Sequence, residues 1–253
     1  MAPVVWIGGA PGAGKTTVAR ALARRCGLRL YSGDTRTWVH RDRAVAAGDP
    51  AAIAFEMLTP TERWQRPVGE LLAMSLHRQR GPMVLEDLAA LPDTPLVVAE
   101  GSTLPAYAAD PGRAVWLLPT AEFQHAQLAA RGTPDGPARL YAALREVIAA
   151  EAAEHALPTL RVDGTTGLPG MVRQVADLLA GPLAAGPHAR DAAERQALLR
   201  EQNRAAADQV RGYFARPWAT GDAAAVVLPF ACECGDPECE REVRMPVSRL
   251  PED

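Results

Sequence analysis

The sequence predicts an α/β fold of three layers, in which helices cover both faces of a five-stranded parallel sheet. Short apolar runs alternate five times with segments of helical periodicity between residues 3 and 181. A glycine-rich turn joins the first apolar run, 3–7, to the first helical segment, 15–26. Strand-to-helix turns of this kind lie at the ligand-binding edge of an open parallel sheet.

The other elements of this sheet domain follow in chain order. Strands are predicted at 28–31, 95–100, 113–119 and 159–164. Helices are predicted at 35–47, 50–58, 67–80, 82–90, 120–131, 138–155 and 168–181. These elements make up a predicted first domain, residues 1–183, with a helical insert at about 35–80.

Residues 188–253 are predicted to form a C-terminal appendage, separated from the first domain by a linker at 181–187. A long, charged helix is predicted at 188–215. Its thin apolar stripe needs a partner surface, either the main domain or a second subunit of a homodimer. The apolar runs 226–230 and 243–247 predict a small β-hairpin.

Composition narrows the classes of function. A length of 253 residues with 48% apolar residues allows one large domain with an appendage. A net charge of −3 gives no basic footprint, so nucleic acid is not expected as a partner. No apolar run reaches the roughly 18 residues that span a membrane, and no signal-peptide pattern is present. We therefore expect a cytoplasmic protein without a membrane partner.

The glycine-rich turn matches the phosphate-binding pattern G-x-x-x-x-G-K-[ST] at Gly9, Gly14, Lys15 and Thr16. Glycines let the backbone curl so that successive N–H groups face an anion, and the helix that follows directs its positive end there. Lys15 can reach the β- and γ-phosphates, and the Thr16 hydroxyl can bind Mg²⁺. The pattern predicts ATP or another nucleoside triphosphate, with Mg²⁺, as the bound group. The predicted binding residues are Gly9, Ala10, Pro11, Gly12, Ala13, Gly14, Lys15, Thr16 and Thr17.

Two carboxylates follow predicted strands and are candidate catalytic residues. Asp34 comes directly after the second strand, and Glu100 ends the third. Acids at these positions lie on the ligand-binding edge of the sheet. Asp34 can accept a proton from a substrate hydroxyl, bind a substrate group, or cap the next helix. Glu100 can bind Mg²⁺ through water or act as the general base.

The helical insert supplies candidate substrate contacts. Among the arginines of the insert, Arg36 and Arg41 are the closest in sequence to Asp34 and are predicted to hold an anionic group of the substrate. Trp38 and Trp64 are predicted to form a pocket wall or to pack in the core.

A segment rich in glycine and proline, at about 131–140, is predicted to form a mobile lid. Arg131 and Arg139 stand at its ends. Lid arginines can clamp the transferring phosphoryl group and offset its developing charge. We therefore predict catalysis by Arg131 and substrate binding by Arg139.

Three cysteines cluster in the predicted hairpin: Cys232, Cys234 and Cys239. Their thiolates can converge on Zn²⁺, which normally takes four ligands. A fourth ligand would come from Cys26, His188, a nearby acid or a partner chain. A turn with free thiols and a strained disulfide are the alternatives.

Residues 3–181 resemble the P-loop kinases that phosphorylate nucleosides, nucleotides and small metabolites, chiefly through the loop at 9–16. The step Ser32-Gly33-Asp34 is similar to a turn of adenylate-kinase-like enzymes. An acid after the second strand also resembles shikimate kinase and chloramphenicol phosphotransferase, which implies that Asp34 meets a substrate hydroxyl. Glu100 is similar to the catalytic acid of deoxynucleoside kinases.

This resemblance implies an enzyme that moves the γ-phosphate of ATP to a hydroxyl of a small molecule, such as a nucleoside, sugar, metabolite or antibiotic. The alternative is a P-loop NTPase that acts as a nucleotide-dependent regulatory or partner-binding protein, with the C-terminal appendage as its output.

Overall fold

A parallel sheet of five strands forms the centre of the molecule in the computed structural model, which describes residues 3–250. The first two and last three residues of the predicted domains lie outside the described residues. The strands are β1 (Val4–Gly9), β2 (Arg29–Ser32), β3 (Val97–Glu100), β4 (Ala114–Pro119) and β5 (Thr159–Val162). Their order is β2-β3-β1-β4-β5, and each neighbouring pair is parallel. The predicted α/β fold with five parallel strands is confirmed.

Helices cover both faces of this sheet and extend past its edge. They are α1 (Lys15–Cys26), α2 (Thr37–Ala46), α3 (Pro50–Met57), α4 (Pro60–Gln65), α5 (Val68–Met74), α6 (Arg80–Ala89), α7 (Ala121–Ala130), α8 (Asp135–Glu154), α9 (Leu168–Leu178), α10 (Ala180–Ala185) and α11 (Ala192–Phe214). Within the described residues, no helix has both the length and the apolar character that crossing a bilayer requires.

Two cores lie on opposite faces of the sheet because successive strand residues point to opposite sides. Val5 and Ile7 of β1 pack with the buried side chains of α1 and α9 on one face. Trp6 and Trp116 pack on the other face with α8 and the helical insert. This arrangement brings the carboxyl ends of all five strands to one edge of the sheet.

The helical insert has five helices, α2 to α6, and its boundaries differ from those predicted. The helix predicted at 67–80 is wrong in extent, because α5 ends at Met74 and α6 begins at Arg80. Leu76 adopts a left-handed conformation with φ 57° between them, which an α-helix cannot continue through. The sequence analysis also missed α4, which begins with a capping box between Thr59 and Glu62.

The predicted lid at 131–140 is much shorter than expected. Helix α8 begins at Asp135, so only residues 131–134 connect it to α7. Gly136 and Pro137 lie in the first helical turn, where proline is tolerated because its missing N–H has no helical partner. A Cβ on Gly136 would lie 2.5 Å from the Cβ of Trp64, so glycine here allows α8 to pack closely against α4.

The C-terminal part of the chain folds back onto the sheet domain. The predicted linker at 181–187 is largely helical, since α10 covers Ala180–Ala185. Helix α11 packs on α2, β2 and the 3₁₀ turn Gly33–Arg36 of the same chain. Its residues Ala207 and Val210 pack instead with Phe230 and Val247 of the C-terminal segment, so the main domain and the hairpin together cover its apolar stripe. The predicted hairpin is confirmed as the antiparallel pair β6 (Val227–Ala231) and β7 (Glu242–Pro246).

Candidate functional site

A cleft of about 530 Å³ opens at the carboxyl edge of the sheet. The glycine-rich loop between β1 and α1 forms one wall. The helical insert and α8 form a second wall, and the end of α11 with the segment after it forms a third. The cleft is therefore built from parts of the chain that are distant in sequence.

Glycines shape the loop wall. Gly9, Gly12 and Gly14 have φ values of 127°, 85° and 82°, which L-residues with a side chain rarely adopt. A Cβ on Gly9 would lie 2.1 Å from the carbonyl oxygen of Leu117 on β4. The loop therefore curls tightly against the sheet, and the free N–H groups of the first turn of α1 end at the cleft.

Lys15 is held beneath this loop. Its side chain is 4% exposed, and Nζ donates hydrogen bonds to the Ala10 carbonyl (2.8 Å) and to Ser102 Oγ (3.0 Å). Burial lowers the pKa of Lys15, while Asp34 and Glu100 oppose that shift. Lys15 is the only lysine among the 27 basic residues of the chain. The sequence analysis did not assign a role to Ser102.

Glu100 lies beside the first turn of α1. It is fully buried, accepts a hydrogen bond from Thr16 Oγ1 (3.1 Å), and accepts a second one from the Ser32 hydroxyl. Burial, assisted by the nearby Asp34 charge, raises the pKa of Glu100 to about 7. A hydroxyl and a carboxylate at this place are the oxygen donors that Mg²⁺ prefers.

Asp34 lines the cleft from the 3₁₀ turn Gly33–Arg36 and is exposed. Arg80 fixes this turn, because its Nη2 donates to the carbonyl of Gly33. Among the described residues, no hydrogen bond engages the Asp34 carboxylate. Asp34 is therefore open to a hydroxyl that enters the cleft, whereas Glu100 is occupied.

Two of the four predicted arginines lie at the cleft. Arg41, on α2, is buried and lines the insert wall, and Arg131 lines the cleft from the short connection before α8. Trp38 and Trp64, predicted as wall or core residues, both line it too.

The other two predicted arginines point elsewhere. Arg36 Nε donates to Asp87 Oδ2 (3.0 Å) on the far side of α2. Arg139 donates to the carbonyls of Trp64 and Arg66, next to a separate surface depression. Neither residue is in position to contact a ligand of the cleft.

Gln124 supports the loop from behind and was not found from the sequence. It is 1% exposed, and its Nε2 donates to the carbonyls of Pro11 (2.9 Å) and Tyr141 (3.1 Å). Arg145 Nη1 donates to Gln124 Oε1 (3.0 Å) and fixes its orientation. No sequence motif marks this position, since a glutamine in the middle of a helix has no local signature.

The C-terminal part of the chain contributes Gln209, Tyr213 and Trp218 to the cleft, and the sequence analysis missed all three. Trp218 packs against Trp38 with ring centroids 5.9 Å apart. Its Nε1 donates to Glu56 Oε2 (3.0 Å) on α3. The appendage is therefore part of the site.

A second cluster lies away from the cleft, in the loop between β6 and β7. The sulfur atoms of Cys232, Cys234 and Cys239 lie within 4.8 Å of one another. Among the described residues, no histidine, acid or fourth cysteine joins this group, so Cys26 and His188 do not supply the missing ligand. The three thiols are suited to a thiophilic metal ion.

Comparison with known proteins yields structural similarity alone. No family model and no curated protein matches the chain. A shikimate kinase from Acinetobacter baumannii in complex with shikimate is 19% identical, with a TM-score of 0.43 over 72% of this chain and 95% of that one. A sugar kinase from Janibacter sp. is 19% identical, with a TM-score of 0.41 over 74% and 100%. A Thermus thermophilus protein is 20% identical, with a TM-score of 0.45 over 71% and 97%.

The strand order and the loop of this chain define the class of its fold. A parallel sheet with the phosphate loop after its central strand β1 is the P-loop α/β fold. The resemblance to P-loop kinases is confirmed at the level of the fold. The chemistry has to be derived from the residues of this chain.

Proposed function

We propose that this protein transfers the γ-phosphate of ATP to a hydroxyl group of a small molecule. One observation carries the proposal: Lys15 of the loop and the unengaged carboxylate of Asp34 line the same cleft. The volume of that cleft, about 530 Å³, suits small-molecule ligands. A donor site and a candidate base for an acceptor therefore share one cleft.

The loop residues fit a nucleoside triphosphate and Mg²⁺. The amides of the loop and of the first turn of α1 would hold the phosphates, together with Lys15. Thr16 would hold Mg²⁺ through its hydroxyl, and Glu100, which accepts a hydrogen bond from that hydroxyl, would orient it at the start of α1. When bound, Mg²⁺ neutralises charge on the phosphate oxygens.

Asp34 is the base in this proposal, and the structure gives a reason to prefer it to Glu100. The carboxylate of Glu100 is fully buried against Thr16 and Ser32, so no acceptor hydroxyl reaches it without displacing them. Asp34 is exposed in the cleft and would orient the hydroxyl and accept its proton. Arg131 would offset the charge of the phosphoryl group.

The experiment is an acceptor-dependent assay of ADP formation. We expect ADP to form in the presence of an acceptor from a panel of nucleosides, sugars, hydroxy acids and antibiotics, and we expect Lys15→Ala to abolish it. Arg161→Ala is a matched control, since Arg161 is exposed, pairs with Asp163 and does not line the cleft. ATP hydrolysis at the same rate with and without every acceptor would contradict a kinase and support the NTPase alternative.

The regulatory alternative requires the C-terminal appendage to be available to a partner. Instead, this appendage packs on its own domain and contributes Trp218 and Tyr213 to the cleft. Its position therefore favours the kinase.

We further propose that Cys232, Cys234 and Cys239 bind Zn²⁺. Their loop is fixed to the rest of the chain, since Arg24 on α1 donates to the carbonyls of Cys232 and Asp236. With three thiolate ligands, the fourth position is left to water or a further ligand.

Metal analysis tests this second proposal. The expected result is about one zinc ion per chain in the wild type and in Cys26→Ser, and little or none in Cys239→Ser. Cys26 is a suitable control because it is the one cysteine outside the cluster. Wild-type protein that takes up no Zn²⁺ at micromolar concentration would rule the site out.

A further inference from the structure

Aromatic side chains are concentrated at one place in this molecule. The chain has five tryptophans, four tyrosines and four phenylalanines. Six of these thirteen residues line the candidate cleft: Trp38, Phe55, Trp64, Tyr141, Tyr213 and Trp218. Because aromatic residues make up only 5% of the chain, this concentration favours a ligand with a flat apolar face.

Residues 209–218, here called the closing segment, complete this aromatic wall. The Trp218 ring lies 5.9 Å from that of Phe55 and 5.5 Å from that of Tyr213, measured between centroids. Two polar contacts fix the segment to the insert. They are the hydrogen bond from Trp218 to Glu56 and the paired contacts of Arg216 with Asp42.

Arg41 is a buried cation with unused hydrogen-bonding capacity at the cleft. It is 4% exposed, and its guanidinium stacks 3.5 Å from the centroid of the Phe55 ring. Its Nη2 donates to the carbonyl of Met74 (2.8 Å), whereas Nη1 and Nε have no hydrogen-bond partner. The nearest carboxylate contact is Glu56 Oε1, 3.9 Å from Nε, which is beyond hydrogen-bond distance. Glu56 therefore offsets the charge of Arg41 at longer range, but the two unpaired donor atoms of the guanidinium still favour a ligand that supplies an acceptor.

The net charge of the cleft lining also favours an anionic ligand. Its basic side chains are Lys15, Arg41, Arg63, Arg80 and Arg131, and its only carboxylate is Asp34. Lys15 and Arg131 face the loop and serve the triphosphate in the proposed function. Arg41 and Arg63 instead flank the Phe55 ring, each within 3.6 Å of its centroid. Glu56 is the carboxylate that faces both of them, so the two arginines leave about one uncompensated positive charge at the aromatic wall.

We propose that the acceptor is a planar, hydroxylated acid, an inference that rests on the proposed kinase function. Its flat ring lies against the aromatic wall that the closing segment completes. Its anionic group, a carboxylate or a phosphate, accepts a hydrogen bond from Arg41 Nη1. Its hydroxyl group is presented to Asp34. The closing segment thus takes part in selecting the acceptor, together with the insert.

Binding measurements with matched probes test this inference without requiring turnover. By calorimetry on the full chain, with and without a non-hydrolysable ATP analogue, we expect 4-(hydroxymethyl)benzoate to bind at least tenfold more tightly than two counterparts. These are benzyl alcohol, which lacks the acid, and 4-(hydroxymethyl)cyclohexanecarboxylate, which lacks the planar ring. Comparing the affinity of 4-(hydroxymethyl)phenyl phosphate with that of the benzoate distinguishes a carboxylate site from a phosphate site. The inference is overturned if neither planar acid, the benzoate or the phosphate, binds more tightly than benzyl alcohol and the cyclohexane acid.

Two variants locate the contacts. Arg41→Gln is expected to weaken binding of the planar acid about tenfold and to leave benzyl alcohol unaffected. If the glutamine variant does not fold, Arg41→Lys is used instead, because it keeps the positive charge. Arg66→Gln is the control, because Arg66 is an exposed arginine of the same insert that pairs with Glu70. Trp218→Leu is expected to weaken planar ligands several-fold, and Trp218→Phe to preserve them.

The outcome separates this inference from the proposed function. If planar acids bind tightly but receive no phosphoryl group from ATP, the proposed kinase activity is wrong and the proposed specificity of the cleft for planar acids stands. If phosphoryl transfer occurs only to neutral or non-planar acceptors, and Arg41→Gln does not change its rate, the kinase activity stands and the specificity for planar acids is wrong.

Discussion

At the scale of single residues, Lys15 is the position on which the donor site depends. The chain uses arginine at every other basic position, yet keeps lysine at the one place where the side chain must fit beneath the loop. An ammonium group is compact and offers three donors, whereas a guanidinium is a broad planar fork. The two contacts that hold Nζ, to Ala10 and Ser102, leave one N–H free for a phosphate oxygen.

This single lysine gives a selective chemical test. Acetylation with an activated ester, followed by mass spectrometry of the peptide that contains Lys15, is expected to slow about tenfold at MgATP concentrations near ten times its Kd. AMP should protect less, because it lacks the β- and γ-phosphates that reach Lys15. Equal protection by AMP and MgATP would contradict the assignment of Lys15 to those phosphates.

Asp87 is the second residue whose environment has a measurable consequence. It accepts hydrogen bonds from Tyr31 (3.0 Å), Arg36 (3.0 Å), His40 (2.9 Å) and Arg43 (3.2 Å). Burial by itself raises the pKa of Asp87, but the hydrogen bonds and charges of His40 and Arg36 outweigh it and lower the pKa to about 2. Because His40 also contacts Arg80, this network supports the turn that carries Asp34.

Replacing Asp87 with asparagine is expected to cost about 2 kcal/mol of stability at neutral pH, since Arg36 and Arg43 lose a charged acceptor. The pKa of Asp87 is lower in the folded state than its usual value of 3.8, so its contribution is present above about pH 4. It is lost as the pH falls through 2. Urea unfolding of wild type and Asp87→Asn from pH 7 to pH 2 should show the gap closing.

The control for this comparison is Glu86→Gln, the neighbouring acid, whose side chain is 67% exposed. Its effect should stay below about 0.5 kcal/mol. A gap for Asp87→Asn that is constant down to pH 2 would mean that its ionisation does not stabilise the fold.

At the scale of elements, close packing of α8 against α4 fixes the width of the cleft. Gly136 lies at the contact, where a Cβ would meet Trp64 at 2.5 Å. Trp64 in turn lines the cleft, and Leu140 and Tyr141 of α8 face it. The packing of the first turns of α8 against α4 therefore determines the position of the insert wall and the width of the cleft.

Gly136→Ala is expected to destabilise the protein by about 1–3 kcal/mol, because the added methyl group forces the two helices apart. Gly69→Ala, in helix α5 of the same insert, is the matched control. Nothing lies within 4 Å of a Cβ at Gly69, so this change should be neutral or stabilise by up to about 1 kcal/mol. Thermal unfolding measures both, and equal effects would contradict the packing described for α8.

The sheet and the phosphate loop were predictable because both have local signatures. Buried parallel strands are short apolar runs, and the loop pattern stands at the junction after β1. The lid was overestimated because the same glycine and proline residues suit a loop and a first helical turn. The acceptor wall was not predictable, since Trp38, Phe55 and Trp218 are brought together only by tertiary packing. No spacing in the sequence relates residue 38 to residue 218.

At the scale of the whole molecule, the chain closes on itself around the cleft. The loop after β1 forms the proposed donor side, the insert forms the proposed acceptor side, and α11 returns from beyond the sheet to complete the cleft. The closing segment, which carries no sequence motif, thus lies at the proposed acceptor site. A kinase benefits from such an enclosure because excluding water limits hydrolysis of ATP.

The most direct test of the central claim is mass-spectrometric detection of the transferred phosphoryl group. Full-length protein is incubated with ATP labelled with ¹⁸O in the γ-phosphate, together with hydroxylated acceptors. We predict a phosphorylated acceptor that carries the labelled group. Asp34→Asn should lower its rate of formation by about 10²–10⁴-fold and leave ATP binding intact. Label found only in inorganic phosphate, at a rate that no acceptor changes, would contradict the account.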